Sequence, residues 1–185
     1  VVDTPLTFLP QGKDDMPKLA ADASLGLVEQ LDLAPLREGP LDGLRFTVKD
    51  NIDIAGHKTS YGSPAWRDAH PAPAHNALCV DQLLGAGARC VGKVVADEFT
   101  YSLDGESFYF GTPRNGKAPD RVPGGSSSGS AASVSNGLAD FFTLHGCGGL
   151  HPCSGKLVRP LGDAPLSSPD FRGRSPYRFS QASVP

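Results

Sequence analysis

The stretch 76-NALCVDQLLGAGARCVGKVVAD-97 decides the fold class. It reads as a helix, a glycine turn, and then a buried strand around Ala88–Val95. A helix leading into a buried strand is an α/β unit, and it implies a layered α/β fold. Upstream, 39-GPLDGLRFTVKDNIDIAG-56 is punctuated by Gly-Pro and Asp-Gly, and its portion 44–54 alternates like a strand. Downstream, residues 104–125 are rich in Gly, Pro, Asn and Asp and read as loop. Residues 129–136 are small and helix-compatible, and Leu138–Thr143 reads as a further strand.

The ends of the chain differ from this middle. Residues 1–15 read as an irregular arm. From Pro17 to Leu33 apolar residues recur near helical spacing (Leu19, Ala20, Ala23, Leu27, Leu31), which predicts an amphipathic helix. After Leu144 no period of 2 or 3.6 is sustained, prolines and serines are scattered, and the arginines share no face. The expected organisation is an arm and helix over 1–38, an α/β core over 39–144, and an irregular tail over 145–185. There is no internal repeat.

Composition narrows the function classes. The 185 residues suffice for one domain with a real core. The formal net charge is -3 without a block of like charge, which argues against nucleic acid and anionic membrane as partners. No apolar run approaches the ~20 residues of a membrane span. The first residues lack the basic and apolar regions of a secretory signal. Four cysteines (Cys79, Cys90, Cys147, Cys153) do not make a disulfide framework in a chain this long. The expectation is a reduced, cytoplasmic protein. Its oligomeric state is not legible.

Two features bear on chemistry. The run 123-PGGSSSGSAASVSNG-137 has three readings. A flexible linker is one. A phosphate-binding loop is another, but no Lys-Ser or Lys-Thr pair follows it. The third is a catalytic loop, in which glycines admit the substrate and serine hydroxyls relay protons. Lys49, at the end of the strand-like Val-Lys-Asp-Asn, sharpens the third. A lone lysine is usually a solvated charge. One that ends a buried strand is desolvated, which favours its neutral form and makes it a general base. Ser–Lys chemistry needs that combination.

With these residues in view, the chain resembles the amidase signature family. The matching stretches are 43-GLRFTVKDNIDIAGHKTSYGSPAW-66, 82-QLLGAGARCVGKVVADEFTYSLDGESFYFGTPRN-115 and 121-RVPGGSSSGSAASVSNGLADF-141. The Asp-Glu-x-x-Tyr-Ser-x-x-Gly-Glu and Tyr-Phe-Gly-Thr-Pro-Arg-Asn elements are similar to its amidase-1 or indole-acetamide hydrolase-like branch. The resemblance implies a mixed β-sheet flanked by helices, of which this chain is a fragment lacking the C-terminal part. It implies hydrolysis of a small-molecule amide through an acyl-enzyme and a Ser–cis-Ser–Lys triad, without metal or organic cofactor. Lys49 would be the base and Ser126 the cis-serine that passes the proton. The nucleophile would follow in a pattern Asp-x-Gly-Gly-Ser-x-Arg-x-Pro, whose backbone forms the oxyanion hole.

Here the chain departs from the family. The corresponding segment is Gly146-Cys147-Gly148-Gly149-Leu150-His151-Pro152. Cys147, Gly148 and Gly149 stand at the oxyanion-hole positions, but the nucleophile position is Leu150, whose side chain cannot attack a carbonyl. Three explanations compete. A non-catalytic, amidase-like binding protein would keep its core pattern beyond the lost serine, and this chain does not. A metal site from His145, Cys147, His151 and Cys153 has soft ligands, but its spacing matches no common zinc motif. A frameshift accounts for more. Codons permitted for Leu150–Leu157 (CTC CAT CCG TGT TCC GGC AAG CTT), read one base later, spell Ser-Ile-Arg-Val-Pro-Ala-Ser. The codons just before, shifted alike, can give Thr-Asp-Val-Gly-Gly. The expectation is a shift beginning near Phe142–Leu144, and a chain that is inactive as written. A partial α/β layer would also leave sheet edges and apolar surface uncovered.

Overall fold

A computed structural model gives the fold and describes residue 22, residues 24–144 and the strand 156–158. The elements in chain order are β1 (Leu27–Leu33), β2 (Arg45–Lys49), α1 (Pro64–Ala69), α2 (Leu78–Gly85), β3 (Arg89–Val94), α3 (Ser128–Ser135), β4 (Phe141–Leu144) and β5 (Lys156–Val158). The strands form one sheet in the order β1-β3-β2-β4-β5. The inner pairs β2–β3 and β2–β4 are parallel, and the outer pairs β1–β3 and β4–β5 are antiparallel. The fold is thus mixed α/β, as the helix-turn-strand reading of residues 76–97 requires.

The strand β2 is central because both its faces are covered. Phe46, Thr47, Val48 and Lys49 are all fully buried, the mark of a parallel strand between two layers. Alternation then divides its side chains. Phe46 and Val48 join a hydrocarbon cluster with Leu31, Ile52, Ile54, Val80, Leu84, Cys90 and Phe141. The Phe46 and Phe141 rings stack with centroids 5.6 Å apart. Each such side chain contributes about 1.5–3 kcal/mol by leaving water. Thr47 faces the other layer, where its hydroxyl lies 2.8 Å from that of Ser133 on α3.

The helix α3 approaches the sheet closely because its buried residues are small: Ser128, Gly129, Ser130, Ala132 and Ser133. A Cβ at Gly129 would overlap the backbone nitrogen of Val95. The Gly129 amide instead donates to the Val95 carbonyl at 3.1 Å, tying the helix to the end of β3.

Two expectations need correction. The end of the segment expected as a helix is a strand: residues 27–33 are β1, paired antiparallel with β3. Leu27 and Leu31 are four apart, a spacing that one helix face and one strand face share. Gly26 (φ +73°) turns the chain directly before the strand, and the open edge of β3 captures it. Residues 17–21 lie outside the described residues. The tail is also not wholly irregular, since β5 pairs with β4 through Phe142↔Val158, Thr143↔Leu157 and Leu144↔Lys156. An unpaired strand edge offers a row of backbone groups that even a short, poorly patterned segment can satisfy. The rest of the tail lies outside the described residues.

Candidate active site

Lys49 ends β2 and Ser126 lies in the loop that enters α3, 77 residues later. The sheet brings them together. The Lys49 ammonium donates to Ser126 Oγ at 2.8 Å. Lys49 is fully buried and Ser126 is half-buried. The peptide bond between Gly125 and Ser126 is cis, and Gly124 just before it sits at φ +79°, where a side chain would be strained. The main chain of Lys49 is held by the Thr143 hydroxyl of β4, 3.4 Å from the Lys49 nitrogen.

The loop carrying Ser126 is pinned along its length. The Gly125 amide donates to the Leu103 carbonyl at 2.9 Å. The Asp97 amide donates to the Ser126 carbonyl at 3.1 Å. The buried Asp97 carboxylate accepts from Ser128 Oγ at 2.9 Å and from the Gly105 amide at 3.2 Å. Beside the loop the backbone takes unusual shapes. Tyr61, Phe99 and Thr100 all have positive φ (52°, 49° and 60°), uncommon for side-chain-bearing residues. The Phe99 amide donates to the Tyr61 carbonyl at 2.7 Å, which locks two of them together. Trp66 packs edge-on against both Tyr61 and Phe99. Tyr101 and Leu103, on the same segment, are 93% and 85% exposed, so apolar surface does lie uncovered near Ser126.

Next to Lys49 lies a second buried ionic group. Lys93 Nζ stands 3.2 Å from Asp50 Oδ1, both side chains fully buried. This ion pair holds the buried Oδ1. Asp50 Oδ2 accepts from the Ser60 hydroxyl. Burial pushes the Asp50 carboxyl above the usual carboxylate range, against the pull of Lys93 and Ser60. Lys93 also donates to the Lys58 carbonyl at 2.9 Å and to Thr59 Oγ1 at 3.1 Å. It therefore ties β3 to the segment after β2.

The structure thus joins two of the residues singled out in the sequence, Lys49 and Ser126. Cys147, Gly148, Gly149 and Leu150 lie outside the described residues, as do His145, His151 and Cys153. Among the described residues no group of three or more His, Cys, Asp or Glu is placed to hold a metal ion, and no helix is long and apolar enough to cross a membrane. Sequence reasoning missed Asp97, Lys93 and Asp50. The available signal was a charge inside or at the end of an apolar run: Lys93 within 90-CVGKVVAD-97, and Asp97 closing it.

The family described as Amidase matches residues 18–142. Amidase 1 of Oryza sativa subsp. japonica is 48% identical over 107 residues, covering 58% of this chain and 25% of the relative. The translocon at the outer membrane of chloroplasts 64 of Pisum sativum is 43% identical over 107 residues, covering 58% of this chain and 18% of the relative. Among solved structures, the allophanate hydrolase of Kluyveromyces lactis superposes with a TM-score of 0.52 at 33% identity, covering 57% of this chain and 17% of the other. The chain therefore spans about a quarter or less of the length of these curated relatives. With the family match running over most of its residues, the chain belongs to the amidase family.

Proposed function

We propose that this chain carries the proton-transfer half of an amide hydrolase site and lacks the nucleophile that would complete it. The observation that carries the reading is the 2.8 Å contact between the buried Lys49 Nζ and Ser126 Oγ. A neutral Lys49 would take the Ser126 proton, while Ser126 takes one from a nucleophilic hydroxyl attacking a small-molecule amide. No hydroxyl stands at position 150, which is leucine. Without it no acyl-enzyme forms, and the chain as written turns over no amide.

The frame explanation accounts for that leucine. The family match stops at residue 142, within the stretch where the shift is placed. The nucleotide sequence of codons 140–155 tests it. A Ser-Ile-Arg-Val-Pro reading one base over supports the frameshift. An in-frame gene without it favours the second reading, a non-catalytic binding protein on the same fold, for which Leu150 is the specific observation. Turnover of aryl-acetamides by this chain would overturn both.

A further inference from the structure

We propose that Asp97 is the positioning residue of this site, a buried clasp that holds Ser126 within reach of Lys49. The inference rests on the amide-hydrolase reading, in which the Lys49–Ser126 contact is the working part. Asp97 acts through the backbone and side chains around Ser126. Its amide binds Ser126 itself, and its carboxylate binds Ser128 after it and lies against Gly125 before it.

On the near side, Gly125 lies against the carboxylate: a Cβ built there would overlap Asp97 Oδ2. At the residue itself, the Asp97 amide donates to the Ser126 carbonyl at 3.1 Å. On the far side, Ser128 Oγ donates to Asp97 Oδ1 at 2.9 Å. The remaining oxygen accepts from the Gly105 amide at 3.2 Å, and the same segment holds the Gly125 amide through the Leu103 carbonyl at 2.9 Å. A buried carboxylate commonly does no more than satisfy loop amides. What distinguishes this one is where its bonds go. Two of them, from the Asp97 amide to the Ser126 carbonyl and from Ser128 Oγ to the carboxylate, fall within residues 126–128, the segment that sets where Ser126 Oγ points.

The clasp is also stiff at its base. Asp97 directly follows Val94, Val95 and Ala96, all fully buried. The Thr100 amide donates back to the Asp97 carbonyl at 2.8 Å, closing a turn immediately after it. Hydrogen bonds to an ionised acceptor are roughly twice as strong as neutral ones. Asparagine keeps one acceptor oxygen and loses the other, so it should hold the Ser128 side of the clasp and release the Gly105 side.

The test is the NMR signal of the Lys49 side chain in the full chain carrying 13C-labelled lysine, assigned by its loss in Lys49→Met. Ser126→Ala sets the position of a Lys49 that has lost its partner. Asp97→Ala is expected to move the signal by more than half of that displacement, and Asp97→Asn by less. Gly125→Ala, which pushes on the carboxylate from the other side, should move it in the same direction. Folding of each variant is judged from dispersion of the amide spectrum, and Asp97→Asn is read in place of Asp97→Ala if the latter unfolds. A folded Asp97 variant with the wild-type Lys49 signal overturns the proposal. So does a Lys49 signal that Ser126→Ala leaves unmoved. Neither readout involves substrate, so failure of the hydrolase reading would show separately, in turnover.

Discussion

The two faces of the sheet differ in kind. On one, Phe46 and Val48 meet Val80, Leu84 and Phe141 in a layer of carbon. On the other, Thr47 and Lys49 meet the hydroxyls of Ser133 and Ser126. A single strand supplies both faces, one residue out of step. The first face gives stability, and the second gives a lysine held dry beside a hydroxyl at little packing benefit. A substitution on β2 should therefore act on stability or on chemistry according to the parity of its position.

The largest stability effect is expected on the carbon face. Phe141→Ala removes the ring stacked on Phe46 and should cost about 3–5 kcal/mol in denaturant unfolding, from lost transfer energy plus the cavity left behind. A loss below about 1 kcal/mol would mean that the layer is not packed as described. Next comes a titration. Burial holds the Cys90 thiol up to about 11. Because the folded value lies above the unfolded one, this stability is present below pH 9 and is lost as pH rises through 11. The loss should be of the order of 2 kcal/mol. Unfolding measured between pH 8 and 11 checks it, and Cys90→Ala should flatten that part of the profile.

Smaller effects belong to the polar face. Thr47→Val removes the bond to Ser133, but the Ser133 hydroxyl still donates to the Ser130 carbonyl at 2.9 Å. No buried donor is orphaned, so the cost should be about 1 kcal/mol. A loss as large as that of Phe141→Ala would erase the contrast between the faces. At the surface, the ion pair between Arg89 and the exposed Asp32 should contribute less than about 1 kcal/mol. Asp32→Asn should leave the unfolding midpoint nearly unchanged, most of all at high salt.

The sequence made some of this visible and hid the rest for physical reasons. The strand β2, the α2–β3 unit and α3 were legible because periodicity and glycine punctuation agreed. The strand β1 was not, because Leu27 and Leu31 satisfy both periods and only the neighbouring strand edge chooses between them. Lys49 and Ser126 were each legible as candidates, but a contact across 77 residues is set by the sheet and not by local pattern. Asp97 was hidden because its partners are mostly backbone groups and a serine, which leave no signature in spacing. The short β5 was hidden because it is three residues long, too short for a period of 2 to show.

The most direct test of the account is amide turnover by two products of one gene. The chain as written, with Leu150, should show none on aryl-acetamides. The product of the gene read in the restored frame through its own stop codon should hydrolyse them. That activity should fall by at least about 100-fold on Lys49→Met, the usual scale for removing a general base. Turnover by the chain as written would contradict the account, as would a frame-restored enzyme indifferent to the loss of Lys49.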